Sequence, residues 1–184
     1  MCFTRTSLNP VQFIGYQLSR ILCPHGSIGN IPYEFMSLCF CLAAMSTLLA
    51  SLLDANIYGD DLALFRPTNW LNDSCINYCF RRLEQQIQNN SILFMDPSVV
   101  YFLLIQCTTT EEHCELSLGI RIMERTWVFI PVNNSDTFDT PSSHWSLLVL
   151  HVSSGELFHF DSCGMSNNHA AQFTAVKLFA LIER

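Results

Sequence analysis

W-V-F-I-P-V at 127–132, H-W-S-L-L-V-L at 144–150 and E-L-F-H-F-D-S at 156–162 are the runs that decide the fold of this 184-residue chain. They are short, rich in Val, Phe, Leu and Trp, and bounded by turn residues, a pattern that predicts β-strands. Apolar and polar residues do not alternate cleanly, which predicts strands covered on both sides. The turn at 153–155 (Ser-Ser-Gly) predicts that the last two strands form a hairpin.

The predicted hairpin brings a histidine and an aspartate to the same end of the sheet. His144 stands where the first strand of the hairpin begins, and Asp161 stands where the returning strand ends. A carboxylate there can accept a hydrogen bond from the imidazole, which fixes the tautomer of the ring. An oriented histidine is half of a device that activates a nucleophile, although such a pair also occurs as a purely structural feature. The thiol or hydroxyl that would complete the device must be sought elsewhere.

The composition predicts one acidic domain with reduced thiols. Nine Lys and Arg stand against 16 Asp and Glu, a formal charge of -7, and no basic strip suits phosphates. We therefore expect no nucleic-acid partner, whereas basic peptide segments remain compatible with the charge. Nine cysteines at irregular spacing fit free thiols better than a disulfide framework, which favours the cytoplasm or nucleus.

Two helices are predicted ahead of the strands. Asn72 or Asp73 can cap the first, and its apolar stripe comprises Ile76, Cys79, Phe80, Leu83 and Ile87. Asp96-Pro97 opens the second, with the aspartate as cap and the proline in the first turn. The polar stretch 108–115 is a solvated loop or a short helix.

The end of the chain predicts a last helix. Asn167 and Asn168 can cap it, and its expected buried stripe is Phe173, Val176, Ala180 and Leu181. Neither this helix nor the earlier ones carries a convincing metal site. Cys75 and Cys79 stand one turn apart, but a pair of small buried residues explains them better than a shared metal, so we expect neither metal nor cofactor.

Residues 1–44 form an unassigned extension, because prolines and glycines break any periodicity there. The run Phe35–Leu53 carries no charge and is just long enough to span a bilayer. It could also act as an uncleaved signal segment, or the natural start could be Met45. Ser, Thr and Cys are frequent in the run and it merges into domain sequence, so we favour a soluble protein over a membrane-tethered one.

Four motifs occur in a fixed order at compatible spacing: W-L-N-D at 70–73, V-F-I-P-V-N-N at 128–134, H-W-S-L-L-V at 144–149 and F-H-F-D-S at 158–162. Together they resemble the ubiquitin-like-protein-specific cysteine proteases, the sentrin/SUMO-protease family, and most of all its deneddylase branch. The resemblance runs from about Met45 to the end, so residues 45–184 are expected to form a catalytic domain. It implies a papain-like α+β fold that cleaves after the C-terminal Gly-Gly of a Nedd-type or SUMO-type modifier.

The resemblance also implies roles for five residues. His144 matches the general base of the family, and Asp161 matches the carboxylate that orients it. Trp70 and Trp145 match aromatic residues that enclose the Gly-Gly tail, where flat rings make a slot too narrow for side chains. Asp73 matches a residue that helps to hold the substrate. Three of them also have simpler interpretations: core packing for the two tryptophans and a helix cap for Asp73.

The sequence shows no good counterpart of the family's nucleophilic cysteine. In the family, the cysteine lies downstream in a Gln-x-x-x-x-x-Asp-Cys-Gly motif, where the glutamine supplies the oxyanion donor. Asp161-Ser162-Cys163-Gly164 imitates that motif, but it has no glutamine upstream and follows the orienting aspartate at once, so we reject Cys163. We expect a catalytic domain incomplete at its C-terminus and inactive alone. The alternative is a catalytically inactive module that binds a modifier tail.

Overall fold

The computed structural model describes residues 47–66, 69–134 and 144–182. Its strands, in chain order, are β1 (Leu48–Leu52), β2 (Ala55–Tyr58), β3 (Ile92–Phe94), β4 (Trp127–Asn133), β5 (Trp145–His151) and β6 (Glu156–Phe160). Its helices are α1 (Gly59–Leu64), α2 (Asp73–Ile87), α3 (Pro97–Ile105), α4 (Thr110–Ile120) and α5 (Asn168–Ile182), with a 3-10 turn at Ile122–Glu124. The α+β class expected from the sequence is confirmed.

The main sheet has four strands in the order β3-β4-β5-β6. β3 runs parallel to β4, and the other neighbours are antiparallel. Leu147 and Phe160 form the last pair of the β5–β6 ladder, at the open end of the hairpin. His144, directly before β5, and Asp161, directly after β6, lie at that end. The three predicted strands and the predicted hairpin are therefore confirmed.

Two apolar layers cover the two faces of the central strands. Val128, Ile130 and Leu148 face α3 and α5, where they pack with Leu103 and Leu178. The opposite side chains of β4 and β5 pack under α2, in a cluster of Ile76, Phe80, Phe94, Phe129, Trp145, Leu147 and Val149. Because both faces are buried, β4 and β5 read as continuous apolar runs, as expected for strands inside a layered fold.

The expectation of cover on both sides is wrong for β6. Phe158 and Phe160 are 42% and 38% exposed, although they lie opposite Val149 and Leu147 on the same face of the hairpin. β6 is the outer strand of the sheet, and the side chains of α2 cover β4 and β5 on this face. The cover therefore ends before it reaches the edge of the sheet.

Two helices differ in detail from the sequence interpretation. The stretch left as a loop or short helix forms α4, because Thr109 and Glu112 make a reciprocal capping box at its start. In α5, three of the four residues expected to be buried are exposed: Phe173 (48%), Val176 (68%) and Ala180. The fourth, Leu181, is buried as expected. The buried residues, one stripe further round the helix, are Ala171, Thr174, Leu178 and Leu181.

The uncharged run Phe35–Leu53 lies mostly outside the described residues, as does the whole extension 1–44. The last part of the run Phe35–Leu53 forms β1, which pairs with β2 in an antiparallel hairpin. Within the described ranges, no helix is both long and apolar enough to cross a membrane.

Candidate active site

The structure brings His144 and Asp161 into direct contact. The imidazole Nε2 of His144 lies 2.6 Å from Oδ1 of Asp161. The histidine side chain is 13% exposed and the aspartate side chain 2% exposed, so one end of the pair reaches the surface while the carboxylate is buried. The short contact uses Nε2 as the donor, which leaves the ring in the tautomer with a lone pair on Nδ1.

Asp161 is held by donors on both of its carboxylate oxygens. Oδ1 accepts from the ring of His144 and from the amide of Cys163 at 2.9 Å. Oδ2 accepts from the amide of Asn167 at 2.9 Å and from the hydroxyl of Ser166 at 3.4 Å. Burial raises the pKa of Asp161, but the hydrogen bonds from Asn167, Cys163 and His144 outweigh that effect and lower its pKa below the ordinary value. The carboxylate is therefore kept ionised beside the ring.

The second ring nitrogen of His144, Nδ1, differs from Nε2 in its surroundings. Nδ1 makes no hydrogen bond with any part of the chain that the structure describes, and it lies on the opposite side of the ring from Asp161. The backbone of the residue is fixed at the same time. Its N–H donates to Oδ1 of Asn134 at 3.1 Å, and its carbonyl accepts from the amide of Asn134 at 3.2 Å. A nucleophile activated by His144 would therefore have to approach Nδ1.

Cys163 lies in the turn that wraps Asp161. Its amide donates to the carboxylate, and its side chain is exposed. The amide shares Oδ1 of Asp161 with Nε2 of His144, so the backbone of Cys163 is anchored on the Nε2 side of the ring. None of the five cysteines in the described ranges makes a hydrogen bond with the ring of His144.

Trp145 lies at the start of β5 with its ring in the core. It is 4% exposed and packs in the cluster under α2. Its indole Nε1 donates to the carbonyl of Leu71 at 2.8 Å, which ties the segment before α2 to the sheet. Core packing thus accounts for most of the ring surface, and the role in enclosing a tail stays a prediction.

Trp70 is the exposed counterpart, with 54% of its surface open to solvent. The residue after it, Leu71, is the one that Trp145 holds, so Trp70 projects from an anchored segment next to the buried tryptophan. An exposed aromatic residue on a fixed backbone is a suitable contact for an extended peptide. Its proposed contact with a Gly-Gly tail also stays a prediction.

Asp73 is the first residue of α2, and the cap is its neighbour. Oδ1 of Asn72 accepts from the amide of Cys75 at 3.0 Å, so of the two expected candidates Asn72 caps the helix. Desolvation by the surrounding protein raises the pKa of Asp73, and the charge of Asp96 raises it further. Asp73 is nevertheless exposed at the surface and makes no hydrogen bond in the described ranges, and its role in holding a substrate stays a prediction.

Comparison with known proteins supplies the family. The family described as the Ulp1 protease family, C-terminal catalytic domain, matches residues 69–182. That region contains the histidine–aspartate pair, both tryptophans and Asp73. The chain belongs to the Ulp1 protease family.

Curated relatives agree with this assignment. Sentrin-specific protease 8 of Rattus norvegicus is 30% identical over 142 residues, which cover 75% of this chain and 64% of that protein. NEDD8-specific protease 1 of Schizosaccharomyces pombe is 30% identical over 125 residues, covering 64% of this chain and 30% of that protein. Probable sentrin-specific protease 8 of Dictyostelium discoideum is 26% identical over 147 residues, covering 73% and 59%. The chain thus spans less than two thirds of the length of these relatives.

Within this Ulp1-family region, sequence reasoning missed the residues that support the pair. Asn167 was expected to cap α5, but its side-chain amide instead donates to the carbonyl of Val132 at 2.9 Å and to the hydroxyl of Ser146 at 2.7 Å. His159 lies with Nε2 3.0 Å from the same hydroxyl. These contacts join residues far apart in sequence, so only the S-N-N signal for a helix start was visible.

Asp61 helps to hold the segment between Trp70 and α2. The buried carboxylate of Asp61 accepts from the side-chain amide of Asn72 at 2.7 Å and from the amide of Tyr58 at 2.9 Å. Asn72 therefore bonds in two directions, towards the start of α2 and back to α1. Asp61 had drawn no prediction, because its partner is 11 residues away.

The cysteine pair on α2 lies largely inside the fold. Cys75 is fully buried and its thiol contacts the carbonyl of Asp61 at 3.7 Å. Burial raises the pKa of Cys75 to about 12 and that of Cys79 to about 11, so both remain neutral thiols at pH 7. Throughout the described ranges, no group of three or more His, Cys, Asp or Glu side chains could hold an ion.

Proposed function

We propose that this chain carries the base and the orienting carboxylate of a cysteine peptidase that acts after the C-terminal Gly-Gly of a ubiquitin-like modifier. The observation that carries the proposal is the contact of 2.6 Å between His144 and Asp161, which leaves Nδ1 open, in a chain of the Ulp1 protease family. The relatives named for sentrin and NEDD8 support a modifier of that class, with deneddylation or desumoylation as the reaction.

The proposed reaction is a two-step acyl transfer through a thioester. A thiol at Nδ1 of His144 gives its proton to the ring, and the sulfur forms a bond to the carbonyl carbon of the last glycine. The C–N bond to the lysine or the precursor peptide breaks, and the leaving nitrogen takes the proton from Nδ1. Water then hydrolyses the thioester. Asp161 stays ionised throughout and holds the imidazolium by its Nε2–H.

None of the described cysteines makes a hydrogen bond with Nδ1 of His144. The amide of Cys163 bonds to the same oxygen of Asp161 as Nε2 of His144, and the two cysteines of α2 are neutral and at least half-buried. We therefore propose that this polypeptide, on its own, does not cleave a modifier precursor. Thiol-dependent turnover that disappeared in Cys163→Ala would contradict this assignment, because the alanine keeps the amide that Asp161 uses.

The tail would lie beside Trp70 and Asp73. Glycine residues have no side chains, so a Gly-Gly segment can approach an aromatic surface closely enough to place its carbonyl near His144. Trp145 supports this arrangement from below through its bond to Leu71. The open carboxylate of Asp73 is suited to hold a basic or amide group of the modifier.

Binding tests this proposal without requiring turnover. Titration calorimetry with a Nedd-type and a SUMO-type modifier is expected to give binding that weakens when the two terminal glycines are deleted. Trp70→Ala should weaken the intact modifier at least roughly fivefold, the loss of about 1 kcal/mol that marks an interface anchor. Phe173→Ala is the matched control, since Phe173 is a similarly exposed ring on α5. Equal affinities for intact and truncated modifiers would contradict the proposal.

A second candidate is a catalytically inactive module that binds a modifier tail. It is favoured by one observation: none of the five described cysteines makes a hydrogen bond with the ring of His144. Both candidates predict tail binding, and they differ in cleavage. If every natural protein that contains this chain binds the tail but does not hydrolyse it, the module is favoured. Hydrolysis that is blocked by alkylation and by His144→Ala would favour the peptidase.

We further propose that residues 45–184 form the catalytic domain and that residues 1–44 lie outside it. The β1–β2 hairpin supports this boundary, because it packs on α2 although it precedes the matched family region. The five described cysteines are free thiols, which supports a cytoplasmic or nuclear location.

A further inference from the structure

Asn167 connects the sheet to the carboxylate of the site. Its side chain is buried, with only 1% of the residue exposed. The amide Nδ2 donates to the carbonyl of Val132 on β4 at 2.9 Å and to the hydroxyl of Ser146 on β5 at 2.7 Å. One side chain therefore bridges the two central strands at the end where the candidate site lies.

The backbone of the same residue faces the other way. Its N–H donates to Oδ2 of Asp161 at 2.9 Å, directly before the first residue of α5. Because the side chain is locked on the sheet, the position of this N–H is fixed, and so is the carboxylate that accepts from it. The turn 162–166 between Asp161 and Asn167 is exposed at all five residues.

The orientation of the Asn167 amide follows from its partners. A carbonyl oxygen such as that of Val132 can only accept, so the nitrogen of the amide must face it. The amide oxygen Oδ1 is then buried without a hydrogen-bond partner in the described ranges. Such an orphaned oxygen costs folding free energy, which offsets part of what the two bonds donated by Nδ2 contribute.

The hydroxyl of Ser146 extends the connection to β6. It accepts from Asn167, so its own proton is free to go to Nε2 of His159 at 3.0 Å. That requires an unprotonated Nε2. Burial lowers the pKa of His159. The charge of Asp161 opposes this effect, and His144 lowers the pKa further. The net lowering agrees with a neutral ring.

We propose that Asn167 is a positioning residue, which holds Asp161 in the orientation that keeps the Nε2–H tautomer of His144 and directs Nδ1 outwards. Ser146 assists by holding the amide of Asn167. The catalytic meaning of this role rests on the proposed function, but the positioning itself is a property of the folded chain. Losing the side chain of Asn167 leaves the backbone N–H in place while removing what fixes it, so Asp161 would move and the ring would populate both tautomers.

The test is nitrogen NMR of protein labelled with 15N-histidine, recorded at alkaline pH on the neutral ring, with and without Asn167→Ala. The Nδ1 and Nε2 shifts of His144 report the two tautomers. The parent should favour Nε2–H by roughly tenfold or more, the value of one charge-assisted hydrogen bond, and Asn167→Ala should reduce this preference to roughly threefold or less. Asp161→Ala, which removes both acceptor oxygens, supplies the reference for complete loss.

Thr174→Ala is the matched control. Thr174 is fully buried on the same helix, and its hydroxyl donates to the carbonyl of Ala170 at 2.8 Å, away from the site. It should lower the unfolding midpoint in urea by a similar amount and leave the tautomer ratio of His144 unchanged. A purely structural role of Asn167 would make the two variants alike in both measurements.

Ser146→Ala keeps the proposal testable if Asn167→Ala does not fold. It removes one of the two acceptors of the Asn167 amide and should lower the tautomer preference by a smaller factor. An unchanged ratio in the folded variants, Asn167→Ala or in its place Ser146→Ala, would overturn the positioning role. No modifier is added in this experiment, so a failure of tail binding would contradict the proposed function and leave this result standing.

Discussion

His144 and Asp161, 17 residues apart in sequence, face each other across the open end of the β5–β6 hairpin with 2.6 Å between Nε2 and Oδ1. Two features of the fold produce this contact. The antiparallel register brings both residues to the same end of the sheet, and the turn after Asp161 folds back so that its amides donate to the carboxylate. The same contact leaves Nδ1 as the ring nitrogen that makes no hydrogen bond within the described residues.

The ionised state of Asp161 predicts an acid-dependent loss of stability. Its pKa in the folded chain lies below the ordinary value of 3.8, so the stabilisation is complete above that value and is lost as pH falls through the lower folded pKa. Unfolding in urea at pH 7 should be easier for Asp161→Asn by roughly 1–3 kcal/mol, because an amide offers one acceptor oxygen where the carboxylate offers two, so the N–H of either Asn167 or Cys163 loses its acceptor. That difference should shrink as pH falls below about 4.

The matched control for the acid experiment is Glu115→Gln, which removes an exposed carboxylate on α4. Its free energy of unfolding should remain within about 0.5 kcal/mol of the parent at pH 7. If the difference between Asp161→Asn and the parent were the same at pH 3 and pH 7, Asp161 would not be the ionised partner of His144.

The two tryptophans should differ in their effects on stability. Trp145→Phe keeps an aromatic ring in the core but removes the bond from Nε1 to the carbonyl of Leu71, and we expect a loss of roughly 1–3 kcal/mol in chemical denaturation. Trp70→Phe should change stability by less than about 0.5 kcal/mol, because that ring is 54% exposed. A larger loss at Trp70 than at Trp145 would contradict the assignment of one ring to the core and the other to the surface.

Asn72 should be the more costly polar residue to remove at the start of α2. Asn72→Ala deletes the helix cap and also leaves the buried carboxylate of Asp61 without its side-chain donor, so we expect a loss of about 2 kcal/mol in thermal or urea unfolding. Asn90→Ala is the control, since the described contacts of Asn90 use only its backbone carbonyl. Equal losses in the two variants would show that neither the cap nor the bond to Asp61 contributes to stability.

Cysteine alkylation should separate exposed from buried thiols. Cys114 and Cys163 are exposed and should be modified by iodoacetamide at pH 8 in the folded protein. Cys75 should react only after unfolding, because it is fully buried and burial raises its pKa to about 12. Peptide mass spectrometry after timed quenching measures this. Labelling of Cys75 as fast as that of Cys163 in the native protein would place that thiol at the surface.

The sequence was sufficient for the hairpin and its His–Asp pair because strand period and turn signals are local, and the antiparallel return then fixes which ends meet. It was also sufficient to place a helix start at Asn72 or Asp73. A T-x-x-E pattern at Thr109–Glu112 was present as well, and read as a capping box it would have predicted α4 rather than leaving a loop as an alternative.

The errors arose where tertiary contacts decide. In α5, two apolar stripes compete, and only the position of the sheet determines that Leu178 is buried while Val176 is exposed. Asn167 has the sequence signal of a helix cap, yet its amide is used by two strands that the local sequence does not reveal. Cover on β6 likewise depends on how far α2 extends across the sheet.

The most direct measurement of the central claim is the 15N-histidine NMR spectrum of this chain titrated with a ubiquitin-like modifier. The ring signals of His144 should show the Nε2–H tautomer in the free chain, and those of Nδ1 should shift when a modifier with an intact Gly-Gly tail is added. A modifier lacking the two glycines should leave them in place. Binding of the intact tail with no change at His144, or an Nδ1–H tautomer in the free chain, would contradict the account.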